Sequence, residues 1–96
     1  MDYKYDISVV VPLFNEAESL PELYAWIKRV MEAHKFTFEI IFVNDGSTDN
    51  SWQVIEGFAE EDAHVHGIKF RRNYGKSPAL FCGFRAAKGR VVITMD

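Results

Sequence analysis

Four short stretches carry most of the side chains whose types and spacing could do chemistry. "VNDGSTDNS" (43–51) sets Asp45 at the tip of an apolar run and follows it with Gly46. An ionised aspartate only accepts hydrogen bonds. It therefore suits a donor such as the ring N–H of uracil or guanine, and equally suits an Asx-type turn that caps its own loop. "VPLFNEAES" (11–19) ends a run with Pro12, Phe14 and Glu16. If that segment stays extended, the three project to one side and offer a shelf for a base and a carboxylate for a ribose hydroxyl. The competing reading is a loop in which Asn15 and Glu16 satisfy backbone groups. "RRNYGK" (71–76) offers cations, Lys76 among them, beside a glycine turn close to a helix start. That grouping suits phosphate oxygens, although Lys76 reads equally well as a surface lysine. "VVITMD" (91–96) closes an apolar strand with the carboxylate of Asp96.

Other chemistries are weakly supported. No G-x-x-x-x-G-K-[ST] loop is present, and no G-x-G-x-x-G follows the first apolar run. His64 and His66, two apart, would point the same way on an extended strand, but no partner ligand lies nearby in sequence, so a metal site there is not expected. Cys82 falls mid-helix without a pattern that would stabilise a thiolate and reads as a packed thiol. Asp49 reads as a charge favoured by a helix N-terminus.

These residues need positioning elements, and the apolar pattern supplies them. Asp6–Phe14, Phe38–Asp45, Val65–Phe70 and Arg90–Asp96 read as strands, nearly continuous in Val, Ile and Phe as expected for parallel strands covered on both faces. Val91 to Met95 are accordingly expected to be buried. A helix is expected from about Ser19 to His34, with Leu20, Leu23, Tyr24, Ile27, Val30 and Met31 on one face. Ser19 and Glu22 fit a capping box. A second is expected from about Asp49 to Glu61, capped by Thr48, with Trp52, Ile55, Phe58 and Ala59 inward. A third runs from about Pro78 to Lys88 with Ser77 as cap, Pro78 at its first position and Gly89 just past its end. Leu80, Phe84 and Ala87 form its stripe, and Gly83 lets it approach the sheet closely. The β-α-β-α-β-α-β order predicts a three-layer α/β/α fold on a four-stranded parallel sheet with right-handed crossovers, and the family resemblance described below implies the strand order 3-2-1-4. Ligands of such sheets bind beyond the carboxyl ends of the strands, where all four stretches lie.

Composition narrows the class. The 96 residues are 48% hydrophobic, 15% aromatic and 26% charged, a globular balance for one small domain. No apolar run approaches the roughly 20 residues that span a bilayer, and the start lacks the pattern of a signal peptide. One cysteine excludes an internal disulfide framework and fits a reducing compartment, so a cytoplasmic location is expected. The net charge of −3 conceals an asymmetry: residues 1–66 hold four Lys/Arg against thirteen Asp/Glu, and residues 67–96 hold seven against one. Solvated helix faces account for much of this, and a diphosphate near the basic half would account for the rest. The basic residues form no dense patch interleaved with aromatics, so no nucleic-acid partner is expected.

Taken together, "VVVPLFNEAESLPEL", "FEIIFVNDGSTDNSWQVI", "RRNYGKSPALFCGFRAAKG" and "VVITMD" resemble the start of glycosyltransferase family 2. The nearest likeness is to the dolichyl-phosphate mannosyltransferase and polyprenyl-phosphate glycosyltransferase group. The resemblance spans about Asp6 to Asp96 and implies the Rossmann-like N-terminal half of a GT-A domain. Residues 1–96 would then be the nucleotide-sugar-binding part of a truncated family 2 domain. By the same resemblance Pro12, Phe14 and Glu16 line a nucleoside site, and Val43 and Asp45 contact the base. The resemblance also implies that Asp96 is the first Asp of an Asp-x-Asp motif that would bind nucleotide and a divalent metal, Mg or Mn, in the parent protein. Lys76 as a diphosphate contact extends this from charge and position. The resemblance implies a UDP- or GDP-sugar as donor. It implies as acceptor a polyprenyl phosphate or a glycan, and would place the parent at the cytoplasmic face of a membrane.

The resemblance also implies limits. One terminal carboxylate is too few ligands for a metal, so the fragment is expected to hold none. A general base and an acceptor site are missing, so it holds no catalytic residue and is expected to be inactive alone. A competing reading is a non-catalytic Rossmann-like fragment that binds little and self-associates through the exposed edge of its last strand. A receiver-type signalling domain shares the alternation, but its first strand would end in an acidic pair instead of "PLFNE".

Overall fold

The computed structural model describes residues 3–95. Strand β1 (Tyr5–Leu13) leads through α1 (Leu20–Ala33) to β2 (Phe38–Asn44), through α2 (Ser51–Glu61) to β3 (Val65–Lys69), and through α3 (Lys76–Ala86) to β4 (Gly89–Thr94). All neighbouring strands are parallel, as the alternating pattern predicts, and their order is β3-β2-β1-β4, the one that the resemblance implies. No described helix is long and apolar enough to cross a membrane.

Strand β2 is buried along its whole length, because it lies between two strands and under helices on both faces. On one face Val9, Val11, Ile40 and Phe42 pack with Leu20, Ile27 and Met31 of α1 and Ile55 of α2. On the other, Val10, Ile41 and Val43 pack against Ala79 of α3. Burying each such side chain contributes about 1.5–3 kcal/mol, so the centre of the sheet is the firmest platform the fold has.

Helix α3 sits closer to the sheet than its expected stripe implies. Ala79 and Gly83 face inward, Leu80 is only partly buried, and Phe84 is 48% exposed. A Cβ on Gly83 would lie 2.3 Å from Val10 Cγ1. The inward row therefore takes the two smallest residue types, and the large side chains are displaced outward.

Several local expectations are corrected. Ser19 makes no side-chain cap. Its hydroxyl instead donates to the Glu16 carboxylate and carbonyl, so the capping box with Glu22 is not formed. Asn50, not Thr48, precedes α2, and Ala59 is exposed. Gly75 precedes α3, which places Ser77 and Pro78 inside its first turn, and Gly89 opens β4. Strand β4 is not buried: Val91 is 49% and Val92 40% exposed. Among the described residues it is an edge strand, paired with β1, while α3 packs over β1 and β2. Strand β3, at the other edge, buries only Val65.

Candidate functional site

The carboxyl ends of β1 and β2 meet three loops that are laced together by side-chain hydrogen bonds. Asn15 adopts a left-handed backbone (φ 53°), which asparagine tolerates better than most residues. Its Oδ1 accepts from the N–H of Thr48 at 2.8 Å and of Asp49 at 3.3 Å, while its own N–H donates to Ser47 Oγ. The Glu16 N–H donates to Ser51 Oγ, and Asp49 accepts from the Ala17 N–H and from the N–H and hydroxyl of Ser51. The hydrogen bond from the Ser51 hydroxyl, foremost, holds the Asp49 carboxyl below its ordinary range. Asp49 therefore does more than sit at a helix start: it ties the β1–α1 loop to the β2–α2 loop.

Asp45 ties in the third loop. It is 5% exposed, and its carboxylate accepts from the N–H of Tyr74 at 2.7 Å and of Gly75 at 3.0 Å. Its carbonyl accepts from Asn73 Nδ2. The aspartate thus caps the neighbouring loop, not its own; that role falls to Asn44, whose Oδ1 accepts from the Ser47 N–H. Gly46 makes the crossing possible. It has φ 72°, and a Cβ there would lie 2.1 Å from the Arg72 carbonyl carbon. The two Asp45 oxygens each keep a lone-pair direction after these bonds, so the carboxylate is fixed in place yet can still accept from a ligand.

Two hollows flank the end of β1 and share Pro12, Leu13 and Phe14 as a common ridge. The larger, about 470 Å³, lies toward α1 and includes Glu16, Ser19 and Leu23. The smaller, about 250 Å³, lies toward α3 and includes Asp45, Asn73, Gly75 and Lys76. Phe14 is exposed on the ridge, and Glu16 is held by the Ser19 hydroxyl with its carboxylate toward solvent. Lys76 opens α3, where the helix dipole favours an anion. Five of the seven expected site residues therefore border the end of β1: Pro12 and Phe14 line both hollows, Glu16 only the larger, and Asp45 and Lys76 only the smaller. Val43 does not join them: its side chain is wholly buried against Val10, Ile41 and Ala79 and presents no surface to a ligand. Asp96, the expected metal residue, lies outside the described residues. Among the described residues no three His, Cys, Asp or Glu side chains are grouped to hold a metal ion.

Two polar clusters elsewhere escaped the sequence reading. At the amino end of the sheet Glu39, on β2, is 1% exposed. Its Oε2 accepts from the Ser8 hydroxyl and the Lys88 N–H, both at 2.6 Å, and its Oε1 lies 3.4 Å from His66 Nε2. Ser8 Oγ in turn accepts from the Gly89 N–H, so the group fixes β4 onto β1. The signal was an acid inside "FEIIFV", where an unpartnered charge is not tolerated. The second cluster is on the α1/α2 side. Asp62 accepts from Tyr24, from the N–H and Nδ1 of His64, and from Lys28 Nζ at 3.5 Å. Burial alone would raise the Asp62 carboxyl, but these donors outweigh it and hold the group well below the ordinary carboxylate range. Burial foremost, with the bond to Asp62, raises the Tyr24 phenol, and the Asp62 charge raises Lys28. His64 stacks on Phe38 while His66 meets Glu39 on the opposite face. The two histidines therefore do not point the same way, because His64 precedes the strand.

The profile of glycosyl transferase family 2 matches residues 8–96. The chain belongs to this family. It is 43% identical over 90 residues to the bactoprenol glucosyl transferase of Shigella phage SfV, covering 94% of this chain and 29% of that protein. It is 44% identical over 91 residues to the undecaprenyl-phosphate 4-deoxy-4-formamido-L-arabinose transferase of Pseudomonas fluorescens, covering 94% and 27%. The fold matches S. aureus TarS in complex with UDP at a TM-score of 0.78 and 25% identity, covering 95% of this chain and 27% of that one. It also matches the mannosyltransferase PcManGT from Pyrobaculum calidifontis, in complex with GDP-Man and Mn²⁺, at 0.69 and 26%, covering 94% and 26%. The family 2 chain thus spans less than a third of each of these proteins, and its sheet is the Rossmann-like part of a GT-A fold.

Proposed function

We propose that this chain is the nucleotide-sugar-binding part of a family 2 glycosyltransferase that moves a hexose from a UDP- or GDP-sugar to a polyprenyl phosphate. The observation that carries the reading is the placement of Phe14 on the ridge at the end of β1, with Glu16 in the hollow on one side and Asp45 and Lys76 in the hollow on the other. Phe14 gives an exposed ring against which a base stacks. Glu16 is placed to accept from ribose hydroxyls. Asp45, oriented by two backbone N–H groups, accepts a ring N–H. Lys76 and the first turn of α3 offset the charge of a diphosphate. The polyprenyl phosphate acceptor is supported by the names of the two enzyme relatives, and the donor classes by the UDP and GDP-Man complexes.

In this reading the acceptor oxygen attacks the anomeric carbon while the bond to the nucleoside diphosphate breaks, which inverts that centre. A divalent metal in the whole protein would offset the charge on the leaving diphosphate, and the Mn²⁺ of PcManGT supports that expectation. The described residues supply no ligand set for it, so Asp96 with residues outside this chain would have to. The role of this part is to bind and orient the donor.

Titration calorimetry of the chain with UDP and GDP, with and without Mn²⁺, tests the proposal. Binding of one nucleotide that weakens at least about tenfold in Asp45→Ala is expected, as for loss of a charge-assisted hydrogen bond. No heat at millimolar nucleotide would overturn it and leave a non-catalytic fragment.

A further inference from the structure

Glu16 stands on an exposed loop, yet its backbone is bonded on both sides. Its N–H donates at 3.0 Å to Ser51 Oγ. Its carbonyl accepts from the N–H groups of Ser19 and Leu20, both at 3.1 Å. Ser51 is wholly buried, and its hydroxyl donates in turn to Asp49 Oδ1 at 2.6 Å. The other oxygen of Asp49, Oδ2, accepts from the Ala17 N–H at 3.2 Å. Two successive N–H groups, those of Glu16 and Ala17, are thus anchored on the residues that open α2. The Glu16 carboxylate is less occupied. Oε2 accepts from the Ser19 hydroxyl at 2.8 Å, and no described residue donates to Oε1.

We infer that Ser51 and Asp49 are positioning residues for the donor: they set Glu16 so that its two carboxylate oxygens meet the 2′- and 3′-hydroxyls of the ribose, and they thereby make the chain select ribonucleotides over 2′-deoxyribonucleotides. Hydrogen bonds between exposed loops add little net stability, because water replaces each of them on unfolding. Several together do something else: they remove the freedom of the backbone they hold. A carboxylate that meets two hydroxyls at once needs that, since such contacts work only when supporting groups hold them within about 0.5 Å. Ser51 needs both of its roles. As acceptor it holds the Glu16 N–H, and as donor it is itself aimed by Asp49. The inference rests on the donor-site reading and goes beyond it, assigning discrimination at the 2′ carbon to two residues that line neither hollow.

Titration calorimetry of the 96-residue chain with UDP, GDP and the 2′-deoxy counterpart of whichever binds tests it. The unaltered chain should bind the ribonucleotide at least about tenfold more tightly than the 2′-deoxy form, the scale of one hydrogen bond to a charged group. In Asp49→Ala and in Ser51→Ala that ratio should fall to about threefold or less, while affinity for the 2′-deoxy form changes by less than about twofold. Glu16→Ala should bring the ratio close to one. Circular dichroism and the urea midpoint show which variants are folded. Asp49 is exposed, so Asp49→Ala decides the matter even where the buried Ser51→Ala does not fold. A ratio that survives in Asp49→Ala would overturn the inference. So would an equal loss of affinity for both nucleotides, the outcome of a merely structural role, or an unaltered chain that binds both alike. Those results leave the donor site standing. A chain that binds no nucleotide overturns the donor-site reading and this inference with it.

Discussion

Strand β2 carries a buried carboxylate near each end, and the two differ in what surrounds them. Asp45, just past the carboxyl end, is held by two backbone N–H groups of a loop and borders an open hollow. Glu39, near the amino end, is held by a hydroxyl and an N–H that join β1 to β4. Both satisfy the demand that a buried charge be hydrogen-bonded. One organises loops that can meet a ligand, and the other closes the sheet. In a parallel α/β sheet the difference follows from direction: helix N-termini and crossover loops gather at the carboxyl end, where N–H groups and space are both available.

The contrast breaks most visibly at Glu39. Replacing it by alanine strands the Ser8 hydroxyl and the Lys88 N–H and opens a cavity, so a loss of about 3 kcal/mol is expected in urea unfolding. Any nucleotide affinity of the folded fraction should stay unchanged. Asp45→Ala should cost less stability, about 2 kcal/mol, because the freed Tyr74 and Gly75 N–H groups lie nearer to water. It should nevertheless abolish most nucleotide binding. If Glu39→Ala also removes binding while the chain remains folded, the division between the two ends of the strand is wrong.

Asp62 extends the comparison to a third buried carboxylate, this one at a helix end away from the sheet. Its folded pKa is depressed, so the unfolded chain binds more protons in acid. The stability it contributes is therefore complete above the unfolded value of about 4 and is lost as pH falls from there toward the lower folded value. Asp62→Asn should lower stability by about 1.5 kcal/mol at pH 7, the scale of a charged hydrogen bond. The gap between variant and parent chain should shrink at about pH 3, as read by urea midpoints at the two pH values.

The strands and their parallel pairing were legible because each strand rests on a run of residues. The buried run of β2 leaves a nearly continuous apolar signature, and alternation with helices makes the sheet parallel, while the order of the strands rests on the family resemblance. Partners across loops were not legible. Asp45 reads as an acceptor from sequence, but nothing near it announces that Tyr74 and Gly75, about thirty residues on, will be its donors. The same holds for Ser8 and Glu39. The α3 stripe was misread because size, not apolarity, decides which residues face a sheet at close range: Ala79 and Gly83 went in and Phe84 came out. Strand β4 reads as buried from Val91 and Val92, yet an apolar run records an affinity for cover without saying whether a covering element is present.

Asn15 tests the carboxyl end at its weakest point. It does two things at once: it accepts from the Thr48 and Asp49 N–H groups, and it tolerates a φ of 53°. Alanine would lose both, and glycine would lose only the hydrogen bonds. On an exposed loop the Asn15→Gly change should cost about 1 kcal/mol, and Asn15→Ala about 1 kcal/mol more. Because the lacing sets Glu16 beside its hollow, both variants should weaken nucleotide binding by the same few-fold factor despite their different stabilities. Equal stabilities would mean that the left-handed backbone carries no strain. Unequal affinities would mean that the loop, once unlaced, no longer returns to one position.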